Sequence, residues 1–302
     1  MDGIKFGASE YNFPVWGALA FEMARDAGFD GIEITDGGGY LQPHPMNKGI
    51  FVECERFTPE LVRLDGYPLN DESVQNEYLE AQERTGIKIS GITLYCLNHQ
   101  GFINSENSTL QGKEALTTIK NAITAAQKMG IPTVSVPTKG MFGVAKNAYA
   151  LQKLAYAVEV AKDCGVVVAN SFDTDLKRQL EVIETLGGNL KTDFNTIDPI
   201  VNAKENPADM IRTLGSERIK QIKIRDLKAD AEGFITTETG TPALIGEGNS
   251  NWRECVEAAK EVNFKGWVIC DTPYNYLKSE KADCDYVTLA KMDLDTVKKS
   301  FA

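Results

Sequence analysis

The chain has 302 residues, of which 42% are hydrophobic and 25% are charged, a composition typical of an ordinary globular protein. This length suits either two domains or one α/β barrel, and it can bury a large core without disulfides or structural metal. The formal net charge of −11 argues against broad binding to nucleic acid or to an anionic membrane surface. Because His44 and His99 are the only histidines, any mechanism that needs several imidazoles is disfavoured.

The cysteine pattern favours a reducing compartment. Six cysteines are scattered along the chain without a CxxC pair. The first residues show no charged-then-apolar leader, and no apolar run approaches the ~20 residues that a membrane span needs. We therefore expect a cytoplasmic protein that does not bind membranes.

One sequence unit recurs along the chain. An amphipathic helix pattern ends at or near a glycine, and a short, mostly apolar run follows within a few residues. Glycine suits the left-handed position just past a helix, and near-continuous apolar runs are typical of parallel strands buried on both faces. The clearest helix pattern covers residues 145–163. In chain order, the predicted strands cover residues 4–9, 31–35, 87–95, 131–136, 166–170, 189–193, 219–224 and 267–271.

Eight such units predict a single (β/α)8 TIM barrel that covers residues 1–302 as one domain. A doubly wound open sheet is the alternative, but no Gly-rich phosphate fingerprint follows the first strand. Long loops are predicted after the second, seventh and eighth strands, at 36–73, 227–249 and 273–285. In a barrel these loops lie where the strands end, so they form either substrate walls or an oligomer contact.

Polar side chains near the carboxyl ends of the predicted strands are the candidate functional groups. Reactive groups of barrel enzymes sit at this face, and polar groups there cost burial energy unless they pair or react. The candidates are Glu10, Glu33, Asn98, His99, Thr138, Lys139, Asn170, Ser171, Asp193, Asn195, Lys223, Arg225, Asp226 and Asp271.

Five segments carry motifs of a known family: AGFDGIE at 27–33, LKTDFNT at 190–196, QIKIRD at 221–226, IGEGNSNW at 245–252 and FKGWVICD at 264–271. Together they resemble the sugar phosphate isomerase/epimerase family, the xylose isomerase-like TIM barrels that include ketose 3-epimerases, inosose dehydratases and relatives of endonuclease IV. The resemblance covers essentially the whole chain, and it is specific for the fold but not for the substrate. It implies a small-molecule carbohydrate as the partner.

In that family a divalent metal, usually manganese or magnesium-like, is held by Glu, Asp, His and Glu on the last four strands. The matching positions here carry Asn170 or Ser171, then Asp193, Lys223 and Asp271. A charged lysine has no lone pair to give a metal, and two carboxylates plus an amide make a poor ligand set. The resemblance therefore implies a degenerate metal site. We expect no cofactor, with manganese or magnesium at Asp193 and Asp271 as the alternative.

Lys223 is expected to take the place of the metal's charge and to bridge Asp193 and Asp271. A fixed, protonated lysine can polarise a carbonyl or stabilise an enediolate. A lysine with a lowered pKa could instead act as a base or form a Schiff base, but two adjacent carboxylates oppose this. The remaining alternative is a structural ion pair that closes the top of the barrel.

The other candidates have both functional and structural interpretations. His99 is a candidate acid or base, although a loop histidine often only hydrogen-bonds at the surface. Trp16, with Tyr11 and Phe13, could stack on a sugar or pack against another subunit. His44 lies in a loop that can reach the site, and Glu247 is expected to organise the Gly-Glu-Gly turn. The candidate substrate ligands are Glu33, Asn170, Ser171, Asn195, Arg225 and Trp16, of which Glu33 could equally be structural.

These observations predict a sugar or polyol isomerase, epimerase or lyase that abstracts a proton next to a carbonyl. The alternative is a non-catalytic carbohydrate-binding protein or a partner subunit of a hetero-oligomer. The polar and charge-complementary ligand positions favour a retained pocket over a bare scaffold. A DNA repair enzyme like endonuclease IV is excluded by the two histidines and the charge of −11. We expect a homo-oligomer or hetero-oligomer, and no nucleic-acid partner.

Overall fold

The computed structural model describes residues 3–37, 68–138, 148–229, 241–281 and 283–302, with the backbone alone at 99–102 and 279–280. Most of the predicted loop at 36–73 and the middle of the one at 227–249 lie outside these residues. His44, Lys139 and the side chain of His99 lie outside them as well.

Eight parallel strands form a closed barrel. The predicted (β/α)8 architecture is therefore confirmed. A short antiparallel pair, β8 (Asp226–Lys228) and β9 (Thr241–Ala243), begins one residue before the segment predicted as the second long loop and otherwise lies within it. The barrel strands are β1 (Ile4–Ser9), β2 (Gly31–Thr35), β3 (Lys88–Thr93), β4 (Thr133–Pro137), β5 (Val167–Ser171), β6 (Leu190–Asn195), β7 (Ile219–Ile224) and β10 (Gly266–Cys270). Around the barrel they follow the order β1-β10-β7-β6-β5-β4-β3-β2.

Helices surround the barrel and connect its strands. A short helix, α8, forms much of the predicted loop at 273–285. The described helices are α1 (Ala18–Ala27), α2 (Glu72–Thr85), α3 (Leu110–Met129), α4 (Ala148–Ala161), α5 (Leu176–Leu186), α6 (Pro207–Arg218), α7 (Trp252–Glu261), α8 (Tyr274–Glu280) and α9 (Tyr286–Phe301). Single turns of 3₁₀ or π helix cover Glu10–Asn12 and Pro199–Ala203, and a longer 3₁₀ segment covers Tyr95–Asn104.

Aspartates begin and glycines end several of the helices. Asp71 and Asp175 accept hydrogen bonds from backbone N–H groups in the first turns of α2 and α5, where four donors lack helical partners. Gly28 and Gly130 end α1 and α3 with φ of 92° and 68°, a conformation that disfavours other residues. Each helix is thereby ended a few residues before the next strand. Among the described helices, none is long and apolar enough to cross a membrane.

The alternation of side chains along β7 separates the core from the barrel interior. Ile222 and Ile224 belong to the hydrophobic cluster that the helices cover. Gln221 and Lys223 point the opposite way, because they contact Glu33 on β2 across the barrel. The barrel interior near the strand ends is therefore polar.

Candidate functional site

A buried cluster of three charges lies inside the barrel, at the base of the candidate site. The Lys223 Nζ lies 2.8 Å from Glu33 Oε2 and 2.9 Å from Asp193 Oδ2. The side chains of Lys223, Glu33 and Asp193 are 7%, 1% and 0% exposed. One ammonium thus lies between two carboxylates that come from β2 and β6.

Neutral groups satisfy the remaining oxygens of these two carboxylates. The Gln221 Nε2 donates to Glu33 Oε1 at 2.6 Å and to Asp193 Oδ1 at 2.9 Å. Ser9 Oγ donates to Glu33 at 3.1 Å, while Ser135 and Ser171 donate to Asp193 at 2.6 and 3.1 Å. Buried carboxylates keep their charge at lower cost when every oxygen accepts such bonds.

Local backbone irregularities accompany both carboxylates. The register between β2 and β3 shifts between Ile32 and Glu33, and that between β6 and β7 shifts between Thr192 and Asp193. An irregularity of this kind re-aims the side chain next to it. Both shifts therefore affect the directions in which the lysine's partners point.

Lys223 stays protonated in this setting. Burial by itself lowers the pKa of an ammonium, but Asp193, Glu33 and Asp271 outweigh it and hold the pKa of Lys223 well above its usual range. A lysine in this state cannot act as a base or attack a carbonyl, so the base and Schiff-base alternatives do not fit this geometry. Its positive charge is a fixed feature of the site.

The partners of Lys223 differ from the expected pair. The sequence predicts a bridge between Asp193 and Asp271, whereas the structure shows Glu33 in place of Asp271. Asp271 instead accepts hydrogen bonds from Tyr11 Oη, from Asn12 Nδ2 at 3.3 Å and from Asn195 Nδ2 at 3.0 Å. Asp271 and Lys223 therefore interact through charge rather than through contact.

A cavity of about 320 Å³ opens at the carboxyl ends of the strands. Lys223, Arg225 and Asp271 all line it, as do Tyr11 and Tyr95, whose rings stack with centroids 5.3 Å apart. This size is at the lower end of the range for small-molecule sites. The other lining residues are Thr93, Asn98, Pro137, Ser171, Asp173, Asn195, Ile197, Asp198, Val201, Asn202 and Leu227.

One arc of the cavity rim carries three carboxyl groups and one guanidinium. Asp173 follows β5, Asp198 follows β6, Arg225 follows β7 and Asp271 follows β10. Among the described residues, neither Asp198 nor the guanidinium of Arg225 has a hydrogen-bond or ion-pair partner, and the Arg225 Nε is buried. Burial, followed by the charge of Asp173, raises the pKa of Asp198 to about 7 against the opposing pull of Arg225.

The structure brings most of the predicted site residues together at this cavity. Ser171, Asn195, Lys223, Arg225 and Asp271 line it, and Glu33 and Asp193 lie beneath Lys223.

Two predicted substrate ligands lie elsewhere in the described structure. Asn170 points away from Ser171, because its amide donates to Val136 O at 2.7 Å and accepts from Thr138 Oγ1. Trp16, between β1 and α1, is not among the described lining residues.

Two further candidates have structural positions. Glu10 is fully buried and accepts from the backbone N–H groups of Gly17 and Thr35 and from Tyr78 Oη. Glu247 forms a surface ion pair with Lys281 at 2.9 Å.

Several site residues were missed by sequence reasoning. Gln221 lies two positions before Lys223 on the same strand, so the alternation of side chains could have identified it. Asp173 and Asp198 lie two and three residues beyond the ends of β5 and β6, in segments whose course the strand pattern does not specify.

A family model described as the xylose isomerase-like TIM barrel matches residues 21–291. The chain belongs to this family. No curated protein matches the chain in sequence.

Solved structures of this xylose isomerase-like fold align over nearly the full chain. The D-psicose 3-epimerase from Clostridium cellulolyticum, solved with D-tagatose, has 14% identity and a TM-score of 0.68, covering 98% of this chain and 99% of its own. The 3-keto-D-glucoside 4-epimerase from E. coli has 16% identity and a TM-score of 0.67 over 98% and 99%. The IOLI protein, solved with a zinc atom, has 16% identity and a TM-score of 0.67 over 98% of each chain. At this identity the similarity establishes the fold.

The donor set of this xylose isomerase-like barrel does not fit a divalent cation. The ammonium of Lys223 already lies between Glu33 and Asp193, and Asp193 accepts from Ser135, Ser171 and Gln221 besides. Within the described ranges, no three His, Cys, Asp or Glu side chains converge as a metal site would require. A cation entering here would meet a fixed positive charge and oxygens that are already hydrogen-bonded.

Proposed function

We propose that this protein is a sugar or polyol isomerase or epimerase that abstracts a proton next to a carbonyl, with Lys223 supplying positive charge at the base of the pocket. The observation that carries the proposal is a buried lysine that contacts two carboxylates and lines a cavity sized for a small molecule. Solved barrels of the same fold that are described as epimerases of ketoses and keto-glucosides support the substrate class.

The chemistry follows from where the charges lie. Removing a proton from the carbon next to a carbonyl leaves negative charge on the oxygen, which becomes an enediolate. A cation that is held in place before the reaction stabilises this charge without reorganisation. Lys223 lines the cavity and stays protonated, so it suits this role, while Asp193 and Glu33 hold its position.

Other lining groups suit a polyhydroxylated ligand. Asn195 and Ser171 present an amide and a hydroxyl, and Asp271 is fixed by three hydrogen-bond donors. We include Arg225 as a ligand for a substrate oxygen and His99, on the nearby 3₁₀ segment, as a candidate acid or base. The proposed place of action is the cytoplasm, on the strength of the cysteine pattern of the sequence.

The proposal is tested by screening free ketoses and keto-inositols for turnover, with and without a chelator, alongside elemental analysis of the purified protein. We expect turnover that survives the chelator and metal well below one atom per chain. Stoichiometric metal with chelator-sensitive turnover would contradict the role of Lys223. Sugar binding without turnover would favour the non-catalytic carbohydrate-binding alternative.

The role of the lysine charge is tested in a paired variant. Glu33→Gln with Lys223→Met removes one negative and one positive charge together, so it leaves no additional buried carboxylate. We expect turnover to fall by about 100-fold, the effect of losing one electrostatic stabiliser in other enzymes. Lys220→Met is the matched control, because Lys220 lies on the same strand but its side chain is on the opposite face from Gln221 and Lys223. Full activity of the paired variant would rule out the charge role.

A further inference from the structure

Among the described residues, three carboxyl groups line the cavity, and their surroundings differ. Asp271 accepts hydrogen bonds from Tyr11, Asn12 and Asn195, so its oxygens already have protein donors. Asp173 has a partner of its own within the structure. Asp198 makes no hydrogen bond or ion pair with any residue in the described part of the chain, and its side chain does not cap the turn that it begins.

We propose that Asp198 is the proton-transfer residue of this pocket. This inference rests on the proposed function and deepens it by assigning the base. Asp198 lies at the start of the π turn Pro199–Ala203, three residues after β6, and lines the cavity together with Asp173 and Arg225. A half-buried carboxyl that faces the ligand space, and that has no hydrogen-bond or ion-pair partner among the described residues, can accept a proton from a bound molecule.

The step balances with the substrate, Asp198 and water alone. The C–H bond next to the carbonyl breaks, its proton goes to the Asp198 carboxylate, and its electron pair forms the C=C bond of an enediolate. The carbonyl oxygen takes the negative charge, which Arg225 or Lys223 can stabilise. Return of the proton from Asp198 to the former carbonyl carbon, with transfer of the hydroxyl proton of the other carbon to the first oxygen, gives the isomer. Delivery of a proton from water to the original carbon on its opposite face gives the epimer, and Asp198 then releases its own proton to solvent. No oxidant or reductant is needed.

The charges around Asp198 suit it to neutral pH. The groups that act on it are Asp173 from β5, Arg225 from β7, Asp271 from β10 and Asp193 from β6. Burial and then Asp173 raise the pKa of Asp198 to about 7, while Arg225 opposes them. A base works best when its pKa lies near the working pH. Asp173, which lines the same cavity, is therefore a positioning residue that raises the proton affinity of Asp198 through its charge.

The test follows exchange of the substrate C–H for deuterium in D₂O by NMR, using a ketose or keto-inositol that the wild-type protein turns over. We expect Asp198→Asn to slow the exchange by about 100-fold or more while sugar binding changes by less than about threefold. Asp163→Asn is the matched control, because Asp163 is an exposed aspartate just after α4. This variant should exchange the substrate C–H at the wild-type rate. Melting curves establish that each variant is folded.

A chemical rescue keeps the test decisive. In Asp198→Ala the missing carboxylate leaves a space, and added formate should restore part of the exchange. If Asp198→Asn exchanges at the wild-type rate, the assignment of Asp198 is wrong and the proposed function stands. If the wild-type protein exchanges no sugar at all, the proposed function fails, and the assignment of Asp198 fails with it.

The role of Asp173 has its own readout. Removing its charge lowers the pKa of Asp198, so Asp173→Asn should move the acid limb of kcat/KM to lower pH, by about half a unit or more, with kcat at the plateau changed by less than about threefold. If Asp173 had a purely structural role, Asp173→Asn would change kcat at the plateau and leave the acid limb of kcat/KM at the wild-type pH. A limb that stays in place, or that moves to higher pH, would overturn the role of Asp173.

Discussion

Lys223 is the residue on which the charge balance of the barrel interior depends. Its ammonium is buried, and it contacts Glu33 and Asp193 at 2.8 and 2.9 Å. Burial raises the pKa of Glu33, and the charge of Lys223 is the main effect that lowers it. Without Lys223, the carboxylates of Glu33 and Asp193 would remain close together without a counter-ion. The lysine therefore stabilises the fold as well as the site.

We expect Lys223→Met to lower the free energy of unfolding by about 3–5 kcal/mol, because it leaves uncompensated buried charge. Adding Glu33→Gln to the same chain should recover a large part of this loss, since it removes one of the two carboxylates. Denaturant unfolding at neutral pH measures both values. Equal stability of the single and the paired variant would show that the contacts of Lys223, rather than its charge, matter for stability.

At the scale of elements, the loop between β9 and α7 is organised by a carboxylate on β8. Asp226 accepts from the backbone N–H groups of Gly246, Gly248 and Ser250 at 2.9, 2.9 and 3.1 Å and from Ser250 Oγ at 2.7 Å. The sequence predicts Glu247 as the organiser of this turn, but Glu247 pairs with Lys281 at the surface. The buried aspartate performs that role because it lies close enough to several turn donors.

This close approach requires glycine at position 248. A Cβ there would lie 2.3 Å from Asp226 Oδ1 and 2.6 Å from Leu227 O, so Gly248→Ala must displace the loop. We expect it to cost about 1–3 kcal/mol, the usual range for overpacking, measured as a lower melting temperature. Gly91→Ala is the control, because its Cβ would meet Thr133 at an acceptable 3.4 Å. If the two variants have the same melting temperature, Asp226 does not hold this loop tightly.

At the scale of the whole molecule, buried acids make stability depend on pH. Burial raises the pKa of Glu10 to about 7, against the hydrogen bonds from Gly17, Thr35 and Tyr78. Burial also raises the pKa of Asp293 on α9 to about 7. Because the folded protein binds these protons more tightly than the unfolded chain, their contribution is fully present below the unfolded pKa values near 4 and is lost as pH rises through about 7.

We therefore expect the free energy of unfolding to fall between pH 5 and pH 7.5, with each acid contributing on the order of 2 kcal/mol. Denaturant unfolding across this range measures the slope. Glu10→Gln should make the slope shallower, because the amide cannot titrate, whereas the exposed Asp163→Asn should leave it unchanged. A slope that is the same in Glu10→Gln would mean that Glu10 keeps an ordinary pKa in the fold.

The sequence by itself determined the barrel, its family and the residue types available at the site. Glycines after helices and near-continuous apolar runs locate the strands, because helix ends and buried parallel strands impose local requirements that a chain shows directly. The same pattern identifies β7, and the family motif on this strand shows that Lys223 stands where the family has a metal-binding histidine. These features depend on neighbours a few residues apart, so they could be predicted.

Only the tertiary structure decided which groups meet. Glu33 and Gln221 lie 188 residues apart in the chain and are brought together by closure of the barrel and by register shifts beside Glu33 and Asp193. The partner of Lys223 is therefore Glu33 rather than Asp271. Asp198 faces the cavity because of the turn that follows β6, which the strand pattern does not specify. Sequence periodicity specifies the face of a strand, whereas the contacts across a closed barrel depend on its register and on the course of the segments beyond its strands.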